Sequence, residues 1–166
     1  MAKDENFYQI SLKTILRNDK GEVLVLKAPP GSVIEGFWDL PGGRIDMNEF
    51  ALPIPEIIAR ELHEELGDVQ YALDERPIAV GRREVPPEFN RHQRTVRQLF
   101  LFFAADYRGG AIRLSDEHTA YRWINLAHLR LEKYFTAGIL EGVEGYRHLG
   151  VHGTSATRIR ADGRRC

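Results

Sequence analysis

Residues Gly43–Gly67, GRIDMNEFALPIPEIIARELHEELG, decide how the rest of the chain is read. The last eight, Arg60 to Gly67, hold three glutamates and an arginine. On a helix, Glu61, Glu64 and Glu65 stand at i, i+3 and i+4, on one side within roughly 100° of arc. Ile58, Leu62 and Leu66 repeat every four residues and form an adjacent apolar stripe. The helix can therefore pack on a sheet through one face and cluster carboxylates on the next. Pro55 suits a first helical position, and Gly67 suits the stop. Glu61 and Glu65 repel each other by a few tenths of a kcal/mol in an isolated helix. A bound divalent cation would remove that penalty, and all-oxygen ligands favour Mg²⁺ or Mn²⁺ over zinc or copper. The plainer alternative is a solvated helix face with an Arg60–Glu64 pair, and these eight residues alone leave both open.

Upstream, Pro41-Gly42-Gly43 is either a simple turn or a place where backbone approaches a phosphate closely. Glu49 lies between the glycines and the helix. It either pairs with Arg60, pinning the loop to the helix, or is merely solvated.

Gly43, Glu49, Arg60, Glu61, Leu62, Glu64, Glu65 and Gly67 together resemble the Nudix box of Nudix hydrolases. From average composition, Arg-Glu-x-x-Glu-Glu-x-Gly alone would arise at about one start in a million. Two departures stand out. Ten residues, Phe50 to Ala59, separate Glu49 from Arg60 where the family has seven. Asp68 stands where an apolar residue is usual, with Val69 next. The flanking "WDLP" and "LSDEHTAYRWINL" also resemble the family, and the likeness runs from about Phe7 to Leu140.

The resemblance implies hydrolysis of a nucleoside diphosphate linked to another moiety, a small nucleotide-type substrate. It implies Glu61, Glu64, Glu65 and Glu117 as metal ligands, with Glu64, Glu65, Glu117, Arg60 and Glu49 serving catalysis. Glu117 precedes Trp123 by the spacing of a loop glutamate in the family, and a carboxylate there would orient water from the opposing side. His118 is the rival base, since its ordinary pKa suits neutral pH. Gly42, Gly43 and Arg44 are candidate phosphate contacts, with a Gly42 or Gly43 carbonyl as a further metal ligand. Phe89 is the candidate for stacking on a base, because Trp38 reads as core. His63 reads as structural or solvated. Arg82, Arg83, Arg91, Arg94 and Arg97 flank a long basic loop, and each alone reads as solvated. Two other readings use the same fold. One is a nucleotide sensor, which commonly loses ligands that this chain keeps. The other is a prenyl-diphosphate isomerase, for which Cys166 is a poor catalytic cysteine.

The remaining sequence fits an α/β fold, a mixed sheet sandwiched between helices. "FYQISLKTIL" alternates as a strand with one polar face, Gln9, Ser11 and Lys13. "EVLVLKA" reads as a strand buried on both sides, hairpinned to the first through "RNDKG". "RPIAVGRREV", "RQLFLFFAADY", "AIRL" and "AYRWINL" read as further strands, followed by a helical turn and a closing helix. Residues 1–149 form the expected domain and 150–166 a flexible basic tail. The chain has 166 residues, net charge −1 and one cysteine, Cys166. These exclude an intramolecular disulfide and give no general argument for nucleic acid or membrane partners. No signal-peptide pattern opens the chain, so a cytoplasmic location is expected. The loop Pro86–Arg94 is a candidate arm between subunits of a homodimer.

Overall fold

A computed structural model describes residues 5–150. The expected basic tail, apart from Gly150, and Cys166 lie outside them. Strands β1 (Gln9–Arg17), β2 (Val23–Lys27), β3 (Trp38–Asp39), β4 (Gln70–Val85), β5 (Val96–Gly109) and β6 (Tyr121–Ile124) form one sheet. Its order is β3-β2-β1-β5-β4, with β6 paired to β2. Strands β1 and β5 are parallel, from Gln9 opposite Gln98 to Arg17 opposite Asp106, and the other pairs are antiparallel. Helix α1 (Ile54–Leu66) covers one face through Ile57, Ile58, Leu62 and Leu66, against Leu12, Leu16, Leu24, Leu26 and Phe103. Helix α2 (Ala137–His148) covers the other through Ile139, Val143 and Tyr146, against Ile15, Val25, Phe100 and Phe102. The expected mixed sheet between helices is the observed architecture. None of the helices in the described residues is long and apolar enough to cross a membrane.

Strand β1 corrects one expectation. It lies inside the sheet, and residues Ser11 to Leu16 are buried without a break. Its polar alternation therefore marks a second buried face and not a solvated one. The β1–β2 hairpin pairs only near its turn, at Arg17 and Val23. Farther along, the Pro41–Ile45 segment takes over the β1 edge. Thr14 N–H donates to the Pro41 carbonyl and Leu12 N–H to the Gly43 carbonyl, both at 2.8 Å.

"AIRL" is a second correction, because it forms no strand. A helix leaves its last carbonyls without partners inside the helix. Here Arg113 N–H donates to the Leu66 carbonyl at 2.9 Å and Ser115 N–H to the Glu65 carbonyl at 3.2 Å. The segment closes the end of α1 instead of extending the sheet. Strand β4 begins at Gln70, six residues before the expected Arg76. Helix α2 meets β4 backbone to backbone. A Cβ on Gly81 would overlap the Gly138 carbonyl, and one on Gly138 would crowd Arg82 and Phe100.

Candidate active site

The site begins at Asp46, whose side chain accepts from Asn48 N–H at 3.0 Å and caps a 3₁₀ turn, Met47–Glu49. Glu49 reaches back to accept from Asp46 N–H at 2.7 Å. This reciprocal pair makes a capping box within what the sequence suggests is irregular loop. It turns the buried Glu49 carboxylate toward helix α1. Arg60 meets it there with two donors: Nε to Oε1, and Nη2 to Oε2 at 3.0 Å. The three additional residues in the loop therefore leave the Glu49–Arg60 pair intact. The hydrogen bond from Arg60 holds the Glu49 carboxyl below the usual glutamate range.

Arg60 also donates to Glu61 and to Glu64, at 2.8 Å each. Its guanidinium pKa is raised, chiefly by the bond to Glu49. Glu61 is buried and Glu64 exposed. Burial raises the Glu61 pKa, the charges of Glu65 and Glu64 add to that, and Arg60 opposes it. Such a carboxylate gains from an added cation.

Glu65 faces another set of donors. Gly42 N–H donates to its Oε2 at 2.6 Å, and His118 Nε2 lies 2.9 Å from its Oε1. Burial lowers the His118 pKa, but the bond and charge of Glu65 outweigh it, and the net shift is upward. His118 Nδ1 is buried and has no hydrogen-bond partner among the described residues. Glu117 is exposed and has no hydrogen bond or ion pair among the described residues. The structure thus brings His118, and not Glu117, against the helix.

The two glycines have separate reasons. Gly42 has φ of +120°, and a Cβ there would overlap the Leu12 carbonyl. At Gly43 a Cβ would overlap the Glu61 carboxylate. The space into which Glu61 projects therefore exists only because residue 43 lacks a side chain. An all-oxygen donor set beside that space fits a hard divalent cation. Among the described residues, however, no three Asp, Glu, His or Cys side chains converge to enclose a metal ion. Glu61 and Glu64 turn to Arg60 while Glu65 turns to Gly42 and His118.

The remaining candidates are spread more widely. Arg44 is exposed and opposite Ser11 in an isolated bridge. Phe89 is half exposed, in a 3₁₀ turn between β4 and β5. His63 is exposed, 3.2 Å from Asp68. Trp38 is core, with Lys27 and Arg122 each 5.1 Å from its ring centre. Among the flanking arginines, Arg83 is half buried. Two of its nitrogens donate to Gln98 Oε1, and its guanidinium lies 5.0 Å from the Phe100 ring centre.

Lys13, on the polar face that the alternation of β1 predicts, has a place at the site that the sequence pattern does not announce. It is buried, and its Nζ donates to Asp39 Oδ2 at 3.0 Å, the Leu40 carbonyl at 3.1 Å and the Gly42 carbonyl at 2.8 Å. The signal available in the sequence was the lone lysine within an otherwise strongly strand-forming run.

A family model for the NUDIX domain matches residues 8–142. The chain belongs to the NUDIX family and is a Nudix hydrolase by fold and motif. A MutT-like protein of Streptomyces ambofaciens is 24% identical over 148 residues, covering 87% of this chain and 82% of its own. The MutT protein of Methanosarcina mazei Go1 has a solved structure with TM-score 0.69 and 26% identity, over 90% of this chain and 99% of that one. The NUDIX domain of Shewanella oneidensis NrtR, solved in complex with ADP ribose, matches with TM-score 0.63 and 16% identity, over 89% and 91%.

Proposed function

We propose that the protein is a divalent-metal-dependent hydrolase cleaving the pyrophosphate bond of a nucleoside diphosphate linked to another moiety. The supporting observation is a single helix face bearing Glu61, Glu64 and Glu65, tied through Arg60 to Glu49 and set against the Gly42–Gly43 turn. Glu61, Glu64 and Glu65 would hold Mg²⁺ or Mn²⁺, which supplies charge neutralisation at the pyrophosphate and a more acidic water.

The chain's own residues do the rest. Glu49 and Arg60 hold the carboxylates in register. Arg44, exposed beside the turn, contacts a phosphoryl oxygen of the substrate. His118 is the base beside the helix, and Glu117, on the same loop, is the second candidate. Phe89 is the stacking candidate for a base.

A ligand-sensing role is the second reading, since the NrtR domain of similar fold was solved with ADP ribose. The complete set of carboxylates favours hydrolysis. The test is a screen of nucleoside diphosphate derivatives and nucleoside triphosphates with Mg²⁺, read by chromatography of the nucleotide products. Turnover that disappears in EDTA and returns with Mg²⁺ or Mn²⁺ is expected. Binding without turnover across the panel would favour the sensor, and full turnover in EDTA would overturn the metal assignment.

A further inference from the structure

Four consecutive carbonyls, Leu40 to Gly43, are all held by β1. Those of Pro41 and Gly43 accept from the backbone of Thr14 and Leu12, as in an ordinary strand pair. Among the described residues, neither the N–H nor the carbonyl of Gly42 bonds to the β1 backbone. The Gly42 N–H finds Glu65, at 2.6 Å. Its carbonyl finds Lys13 Nζ, at 2.8 Å, and the same ammonium holds the Leu40 carbonyl and Asp39.

A lysine ammonium has three donors and no acceptor. Here all three are used, two on backbone carbonyls that flank the Pro41–Gly42 peptide. That peptide carries the amide facing Glu65. Gly42, at φ +120°, is the kind of residue whose backbone is most free to rotate when nothing holds it. Asp39 balances the charge, which a buried ammonium requires.

We propose that Lys13 is a positioning residue of the active site: by gripping the carbonyls on both sides of the Pro41–Gly42 peptide, it aims the Gly42 amide at Glu65 and holds that carboxylate in place on the helix. The assignment rests on the hydrolase reading for its purpose, but not for its geometry. Supporting groups of this kind set how precisely a site is preorganised.

The test uses the full chain without substrate, so it is independent of turnover. Lys13→Met alone leaves the half-buried Asp39 without its cation, so the variant of choice is Lys13→Met with Asp39→Asn. That pair removes the grip while leaving net charge unchanged. Amide hydrogen exchange is followed by NMR at Gly42, Leu12 and Thr14. Exchange at Gly42 should speed up at least tenfold, while Leu12 and Thr14, bonded to the neighbouring carbonyls, keep their protection. A parallel Mn²⁺ titration, read by the electron-spin resonance of free Mn²⁺, should show affinity reduced about tenfold. Unchanged exchange at Gly42 would overturn the proposal. So would equal loss at Leu12 and Thr14, which would make Lys13 a general support of the strand. If the paired variant fails to melt cooperatively, Lys13→Arg takes its place. It keeps the charge on Asp39 but replaces three tetrahedral donors with a planar fork, and the same outcomes at Gly42 decide. Should the substrate screen find no hydrolysis while Gly42 responds as expected, the positioning stands and the function assigned to the site falls.

Discussion

Lys13 and Arg60 flank the Gly42–Gly43 turn, and each makes three or more bonds. Lys13 is buried and holds one carboxylate and two carbonyls. Arg60 is more than a third exposed in its side chain and holds only carboxylates, those of Glu49, Glu61 and Glu64. The difference separates a fixed cation from an exchangeable one. Under the proposed function, a divalent ion would take over what Arg60 gives Glu61 and Glu64, since solvent can reach that guanidinium. Lys13 is buried, with all three donors engaged.

The comparison breaks first at Lys13. Lys13→Met alone should destabilise by about 3–5 kcal/mol in urea melts, as removal of one partner from a buried ion pair does. Adding Asp39→Asn should recover much of the loss. If the single variant melts like the parent, Lys13 is not the fixed member of the pair.

Next is Glu64, the exposed carboxylate on Arg60. Glu64→Gln should lower kcat roughly 10²–10³-fold, or about 2.7–4 kcal/mol, while the circular-dichroism melt stays where it was. A lower melting temperature with kcat intact would make Glu64 a structural partner of Arg60 only.

His118 and Glu117 are adjacent but differently placed, and they should separate in kinetics. His118→Asn should reduce kcat about 10²-fold, at the low side of what a positioned proton-transfer group supplies. Glu117→Gln should stay within about twofold. The opposite order would return the role of base to the loop glutamate.

The smallest effect concerns acid. Glu49 has its pKa depressed in the folded protein, chiefly by the bond to Arg60. Its contribution is therefore complete above the unfolded value, about 4.3, and is lost as pH falls through the lower folded value. Glu49→Gln should flatten the fall in melting temperature below about pH 4. An unchanged acid limb would show that Arg60 does not depend on Glu49.

The acidic helix was legible because its information is local. Glu61, Glu64 and Glu65, the stripe Ile58-Leu62-Leu66 and the stop at Gly67 all follow from a 3.6-residue period. The Glu49–Arg60 pair was legible as an option only, since a spacing of ten residues leaves the loop path open. Lys13 was not legible. Alternation on a strand looks the same whether its polar side meets water or, as here, a turn returning from residue 41. The offset between Glu117 and His118 was hidden for a related reason: spacing from Trp123 places a loop but does not tell which of two neighbouring side chains turns inward. "AIRL" has the composition of a strand, and only the unsatisfied carbonyls of α1 explain where it goes.

The contact between Gly81 and Gly138 acts as a datum for the whole α2 side. Where two backbones touch, no rotamer can give, so the height of the helix above the sheet is set by peptide dimensions instead of side-chain volume. Substitutions around Phe100 or Arg83 can then reshape the floor of that face without raising its roof. The freedom to acquire new chemistry on this side of the molecule lies in what stands on β4, β1 and β5, while the architecture above them keeps its level. Gly81→Ala, one methyl group, would shift that level for every residue beneath the helix at once.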